Sequence, residues 1–161
     1  MKPRGSTIFL RIALAAMGLA VAAFCLVALP LWWVHIPNEF PRDTYAVYAV
    51  VIAMSMAAVP FFAGVVKGWS VLRLIDKGEA FSLKAAKALR FIAICAAIVS
   101  GVYFVSLPFF YIWAQNVDAP GLMLIGTIMA GVSLVVAVFS AVLQRLLGEA
   151  VAIKSENDLT V

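Results

Sequence analysis

Four long stretches of this chain contain no Asp, Glu, Lys, Arg or His: Ile12–Val34, Tyr45–Val66, Phe91–Ala114 and Gly121–Leu143. Each holds at least 22 residues, and about 20 helical residues cross the ~30 Å hydrocarbon core of a bilayer. Only helices and closed barrels satisfy their own backbone hydrogen bonds in lipid, and runs this long and continuously apolar read as helices. The pattern predicts an all-α polytopic membrane protein, a four-transmembrane-helix bundle forming a single domain over residues 1–161. The composition suits lipid as solvent: 65% of residues are hydrophobic, 12% are charged, and the mean hydropathy is +1.08.

Charge sets the orientation. Lys2, Arg4 and Arg11 precede the first run, six basic residues from Lys67 to Arg90 separate the second and third, and Arg145 and Lys154 follow the fourth. The connections on the other side hold only Arg42. Cationic loops stay in the cytoplasm, so both termini, the 67–90 segment and the 144–161 tail are expected on the cytoplasmic side of a bacterial cytoplasmic (inner) membrane. The net charge of +4 then serves topology and meets anionic lipid headgroups; no direct contact with nucleic acid is expected. The opening MKPRGSTIFLRIALAAMGLAVAAFC has the basic start of a secretory signal, but its apolar run exceeds the 7–15 residues of such a signal and is expected to remain as an anchor.

Several chemistries find no residues. Cys25 and Cys95 would sit about 21 and 7 Å from the inner boundary at 1.5 Å per residue, too far apart for the ~7 Å Cα limit of a disulfide. They are expected to be apolar packing residues. His35 is the sole histidine and follows Trp32-Trp33 at the interface. The spans offer no ionisable group to carry a coupling proton, which argues against proton-coupled export. Their hydroxyls, such as Ser55, Ser100, Ser106, Thr127, Ser133 and Ser140, are expected to bond a backbone carbonyl or a neighbouring helix. We find no nucleophile with its base, no metal cluster and no phosphate loop, so no enzyme activity, cofactor or metal is expected.

Packing has a legible code. Gly18/Ala22, Gly64/Gly68, Ala97/Gly101 and Gly126/Ala130 each place small residues four apart on one helix face, where backbones can approach closely; a homo-oligomer is one possible use. Pro30, Pro60 and Pro108 should bend their spans. Leu29-Pro30-Leu31-Trp32-Trp33 and Leu107-Pro108-Phe109-Phe110-Tyr111 resemble each other near the ends of spans one and three, through duplication or through shared interfacial chemistry.

The cytoplasmic segments are the more specific. Leu72, Leu74 and Ile75 can line an apolar face before Gly78 breaks the helix, and Ser82 is a candidate N-cap for a helix running through Lys84, Lys87 and Arg90 into the third span. The fourth span should continue inward with Leu143, Leu146 or Leu147, Ala150 and Ile153 recurring every three to four residues. Leu74-Ile75-Asp76-Lys77-Gly78-Glu79 and Phe81-Ser82, together with Leu146-Leu147, Glu149-Ala150, Ile153-Lys154 and the terminal Glu156-Asn157-Asp158-Leu159-Thr160-Val161, resemble domain-of-unknown-function family 2975, small bacterial four-span membrane proteins. The likeness covers nearly the whole chain in layout and lies specifically in those two motifs. It implies no catalytic residue. It does imply a possible partner, since members are often encoded beside a small helix-turn-helix regulator.

Two functions follow as expectations. In the first, the protein is a regulatory partner of a cytoplasmic helix-turn-helix DNA-binding protein, bound through Asp76, Gly78, Glu79, Phe81, Ser82, Glu149, Glu156, Asn157, Asp158, Leu159 and Thr160. In the second, it is a small transporter or an immunity factor against a membrane-active compound. The same motif residues could instead close the base of the bundle, with Glu79 or Asp158 meeting Arg73, Lys77 or Arg145.

Overall fold

The computed structural model describes residues 5–39 and 44–158, with side chains over 7–35 and 44–155. Lys2, Arg4, Pro41 and Arg42, used above for topology, lie outside the described residues. Every described element is helical: α1 (Gly5–Ala23), a π-helical segment (Phe24–Ala28), α2 (Leu29–Glu39), α3 (Thr44–Asp76), α4 (Leu83–Asn116) and α5 (Gly121–Asp158). Four helices are long and apolar enough to cross a membrane, over Thr7–His35, Thr44–Asp76, Leu83–Asn116 and Gly121–Ser155. The first of these is the continuous rod α1, π segment and α2. We call the end of the bundle that carries Arg11, Lys67 and Arg90 the basic end, and the end that carries Trp32, Trp33 and Trp113 the aromatic end.

The helices pack mainly in chain order, α3 against α4 and α4 against α5, with the first rod laid against α3. The α4–α5 seam explains itself from sequence. On α5, Gly126, Ala130, Ala137 and Ser140 are buried and Ser133, Gln144, Leu147 and Val151 are partly buried, a spacing that alternates four and three. That is a heptad seam built in its membrane half from Gly, Ala and Ser, which lets two backbones approach and gain dispersion contacts where lipid offers no hydrophobic drive. Phe110 of α4 lies over Gly126, so close that a Cβ there would fall 2.9 Å from its ring. Ser100 adds a bond across the seam, its Oγ donating to the Ala130 carbonyl at 2.9 Å. Ser55, Ser106, Thr127 and Ser133 instead donate to carbonyls one turn back on their own helices.

The core lies toward the aromatic end. Leu29, Val47, Val50, Val51, Phe110 and Trp113 form one buried cluster, with Leu122 and Met123 of α5 against it. Trp32 meets Trp113 edge to face at 5.6 Å and Trp33 meets Tyr48 at 5.2 Å. His35 Nδ1 lies 2.7 Å from the Leu31 carbonyl, an acceptor, so Nδ1 carries the proton. Three of the four small-residue pairs work inside the molecule: Gly18 faces Val65, Gly68 faces Leu14, Gly64 faces Cys95, and Gly126 faces Phe110. The fourth differs, since Ala97 and Gly101 lie on the surface and Gly101 has open space above it. Cys25 and Cys95 are free thiols.

The three prolines act differently. Pro60 and Pro108 are carried inside unbroken α-helices, whereas Pro30 follows a widened π turn in which the Leu29 N–H donates to the Phe24 carbonyl. A proline ring clashes with the carbonyl four residues back, here Leu26, and widening the turn around that carbonyl relieves the clash. The two Leu-Pro segments that look alike in sequence therefore have different backbones.

Candidate functional site

The helices outrun the membrane at the basic end. α3, α4 and α5 contain 33, 34 and 38 residues, about 50–57 Å at 1.5 Å per residue, against a ~30 Å core. Counting from the ends of the apolar runs, α5 continues for residues 144–158, about 22 Å, and α3 and α4 for somewhat less. The segment 67–90 is thus mostly helix, and only residues 77–82 lie between α3 and α4.

Asp76 to Ser82 form one tight turn, and each residue's part follows from local chemistry. The Glu79 N–H donates to the Leu74 carbonyl at 2.9 Å and the Gly78 N–H to the Ile75 carbonyl at 3.0 Å, the paired bonds of a Schellman C-cap. Gly78 has φ +75°, a left-handed conformation that glycine adopts without steric cost. Ser82 then starts α4: its backbone is extended and its Oγ accepts from the Ala85 N–H at 3.2 Å, the N-cap read from sequence. Glu79 is exposed. Phe81, between the two caps, is 66% exposed.

Asp76 is placed by Arg11, which in the sequence stands out only as one of the cations that set orientation. Arg11 Nη2 donates to Asp76 Oδ2 at 2.5 Å, with the two side chains 30% and 20% exposed, and the guanidinium lies over the Trp69 ring at 5.6 Å. The charged contact that closes the base of the bundle among the described residues is therefore Arg11–Asp76, and not one from Glu79 to Arg73, Lys77 or Arg145. Side chains on a helix lean toward its N-terminus, which sends Arg11 from the membrane boundary outward to the end of the antiparallel α3. Lys67 makes a second link, over the Phe91 ring at 5.3 Å.

The remaining motif residues are not gathered to this turn. Glu149 accepts from Arg145 Nε at 3.3 Å on its own helix, with the side chains 61% and 83% exposed, so the pair contributes little. Glu156, Asn157 and Asp158 form the last turn of α5 in backbone, while their side chains, and all of Leu159 and Thr160, lie outside the described residues. The basic-end extension of α5 packs with Gln144, Leu147, Gly148, Ala150 and Val151 partly buried. Of the face expected from Leu143, Leu146 or Leu147, Ala150 and Ile153, Leu147 and Ala150 are partly buried, whereas Leu143, Leu146 and Ile153 are exposed. The register comes from Phe110–Gly126 and Ser100–Ala130 far upstream, and small residues at three-four spacing were the signal that would have given it. Ile153 at 68% and Leu146 at 57% thus add apolar surface to that of Phe81.

Near the aromatic end, α3 and α4 enclose a groove of about 340 Å³ between Ile52, Met56, Gly101, Val105, Ser106 and Phe109. Its lining is almost wholly apolar, and it opens at the bundle surface. Among the described residues no three of His, Cys, Asp and Glu come together as metal ligands would.

A family model described as "Protein of unknown function (DUF2975)" matches residues 31–161. The chain is also 43% identical over 158 residues to the uncharacterized membrane protein YoaS of Bacillus subtilis (strain 168), covering 98% of this chain and 99% of the relative. No solved structure matches it.

Proposed function

Because the chain belongs to the DUF2975 family, a membership that assigns no chemistry, we propose a function from its own geometry: a non-enzymatic docking platform in a bacterial cytoplasmic membrane. In this reading both termini and the basic end face the cytoplasm, and the projecting helices receive a soluble regulatory protein. The observation that carries it is the exposure of Phe81, in the turn between α3 and α4, and of Leu146 and Ile153, on α5 beyond its apolar run. Large apolar side chains held in water favour a partner that covers them. Glu79 and Lys154, exposed nearby in sequence, supply charge at the rim. The partner class expected is a small helix-turn-helix DNA-binding protein.

Affinity capture from native membranes tests this, with the intact chain and with a Phe81→Asp/Ile153→Asp variant as baits. A DNA-binding protein recovered with the first and lost with the second is the expected result. Equal recovery by both baits, or recovery by neither, removes these residues from the function. A second reading, transport of a membrane-active compound or immunity to it, draws on the apolar groove beside Gly101. Gly101→Leu would fill that groove, and under this reading it abolishes resistance or flux while leaving capture unchanged.

A further inference from the structure

The inner half of the first rod is attached unlike any other helix. Thr7, Arg11, Leu14, Gly18 and Val21 form the α1 face with reduced exposure, and Thr7 is the only buried side chain described in α1. Two close apolar contacts join it to α3, at Leu14–Gly68 and Gly18–Val65. Apolar contact between helices has no hydrophobic drive in lipid, so the polar contact at its end carries unusual weight. That contact is the Arg11–Asp76 pair with Trp69 beneath the guanidinium. The other end of the rod is firmly seated, with Leu29 in the core and Trp32 and Trp33 on their aromatic partners. Between the two lies the π segment, which holds no buried residue, and π turns are one of the recognised places where a helix bends.

Local chemistry shows that the clasp is a tertiary device. Asp76 sits at the C-terminal end of α3, where the helix dipole disfavours an acid. Arg73, one turn back on the same helix, is exposed, while Asp76 reaches a residue 65 positions away. The clasp is also imperfect, because Arg11 Nε is buried with no hydrogen-bond partner. A guanidinium so placed has an unused donor that a different acceptor could satisfy. Arg11 adjoins the apolar run, at the depth of lipid headgroups, and an acidic surface favours each basic side chain by about fivefold.

The geometry points to α1 being a hinged arm, clasped to α3 by Arg11–Asp76 and released when acidic phospholipid headgroups compete with Asp76 for Arg11. Closed, α1 covers α3 at Gly68 and Trp69; open, it swings about the π segment and uncovers them. This goes beyond the docking reading and needs no partner protein.

The test uses the full chain in vesicles, with Cys25→Ala and Cys95→Ala, and spin labels at Phe9→Cys and Lys87→Cys to report the arm. A second pair at Lys87→Cys and Ser155→Cys reports whether the α4–α5 frame is intact. Pulsed electron resonance is read in phosphatidylcholine and in vesicles made largely of phosphatidylglycerol. The expected result is one short arm distance in the first and a longer population in the second, its ratio to the closed form raised about fivefold, with the frame distance constant. Asp76→Asn should open the arm in phosphatidylcholine, and Arg11→Gln should make the distribution insensitive to lipid charge. An arm distance that ignores lipid composition, a closed Asp76→Asn variant, or a lipid response that survives Arg11→Gln overturns the proposal.

Discussion

Gly126→Ala is the sharpest probe of the α4–α5 seam. A methyl there would lie 2.9 Å from Phe110 Cδ2 and 3.0 Å from Cγ, where carbon atoms prefer about 3.5–4.0 Å. Roughly half an ångström must be recovered, and Phe110 has no room to give it. That ring is 4% exposed and clustered with Leu29, Val50, Val51 and Trp113. Overpacking of this kind costs about 1–3 kcal/mol, offset by up to ~1 kcal/mol from replacing a helical glycine. Gly131→Ala, on the same helix with nothing within 4 Å of its added Cβ, isolates the second effect. The difference between the two variants is therefore the packing cost alone, roughly a five- to 150-fold change in the unfolding equilibrium. Steric-trap unfolding in bicelles measures it, and Phe110→Leu should recover part of the loss in the Gly126→Ala background while destabilising the parent. Equal stability of Gly126→Ala and Gly131→Ala would refute a seam set by close approach.

The two hairpin turns make a matched pair of predictions. Gly78→Ala, at φ +75° with open space around it, should destabilise by about 1 kcal/mol for conformational reasons alone, and Asp118→Gly, at φ +52°, should stabilise by up to about 1 kcal/mol; thermal unfolding in detergent reads both signs. Ser82→Ala removes the α4 N-cap and should cost about 1 kcal/mol, with Ser82→Asp restoring most of it in the same assay. Ser100→Ala deletes the bond to Ala130 and should cost about 0.6 kcal/mol, near the measured mean for such bonds in membranes. A larger loss than about 1.7 kcal/mol would mean that the hydroxyl does more than bridge two helices.

The four spans were legible because lipid punishes any exception: a single charge inside Tyr45–Val66 or Phe91–Ala114 would have broken the pattern. Gly78 and Ser82 were legible because a left-handed stop and an N-cap are local choices, decided within a few residues. Three of the four small-residue pairs proved to be contacts, yet nothing in Ala97 and Gly101 themselves marks that face as turned outward, since the same spacing serves either purpose. The seam is legible at Gly126 and Ala130, which stand four apart, and less so at Ser133, Ala137 and Ser140, which continue it in alternating steps of three and four. Arg11–Asp76 was not legible, because the partners are 65 residues apart and meet only through the register of two antiparallel helices. The π turn escaped for a similar reason: Pro30, Pro60 and Pro108 look equivalent in sequence, and only one follows a widened turn.

The seat of Leu29 and Trp32 is assembled from parts made at different times. Val47, Val50 and Val51 come from α3, but Phe110 and Trp113 belong to α4, and Phe110 rests on Gly126 of α5. A ribosome delivers these in the order of the chain, so the span that enters the bilayer first meets its finished docking surface last. The opening span can meet α3 as soon as α3 follows it, but its seat on Phe110 and Trp113 is complete only when α4 and α5 are in place. Errors in the last helix, Gly126 above all, would surface as a failure to retain the first.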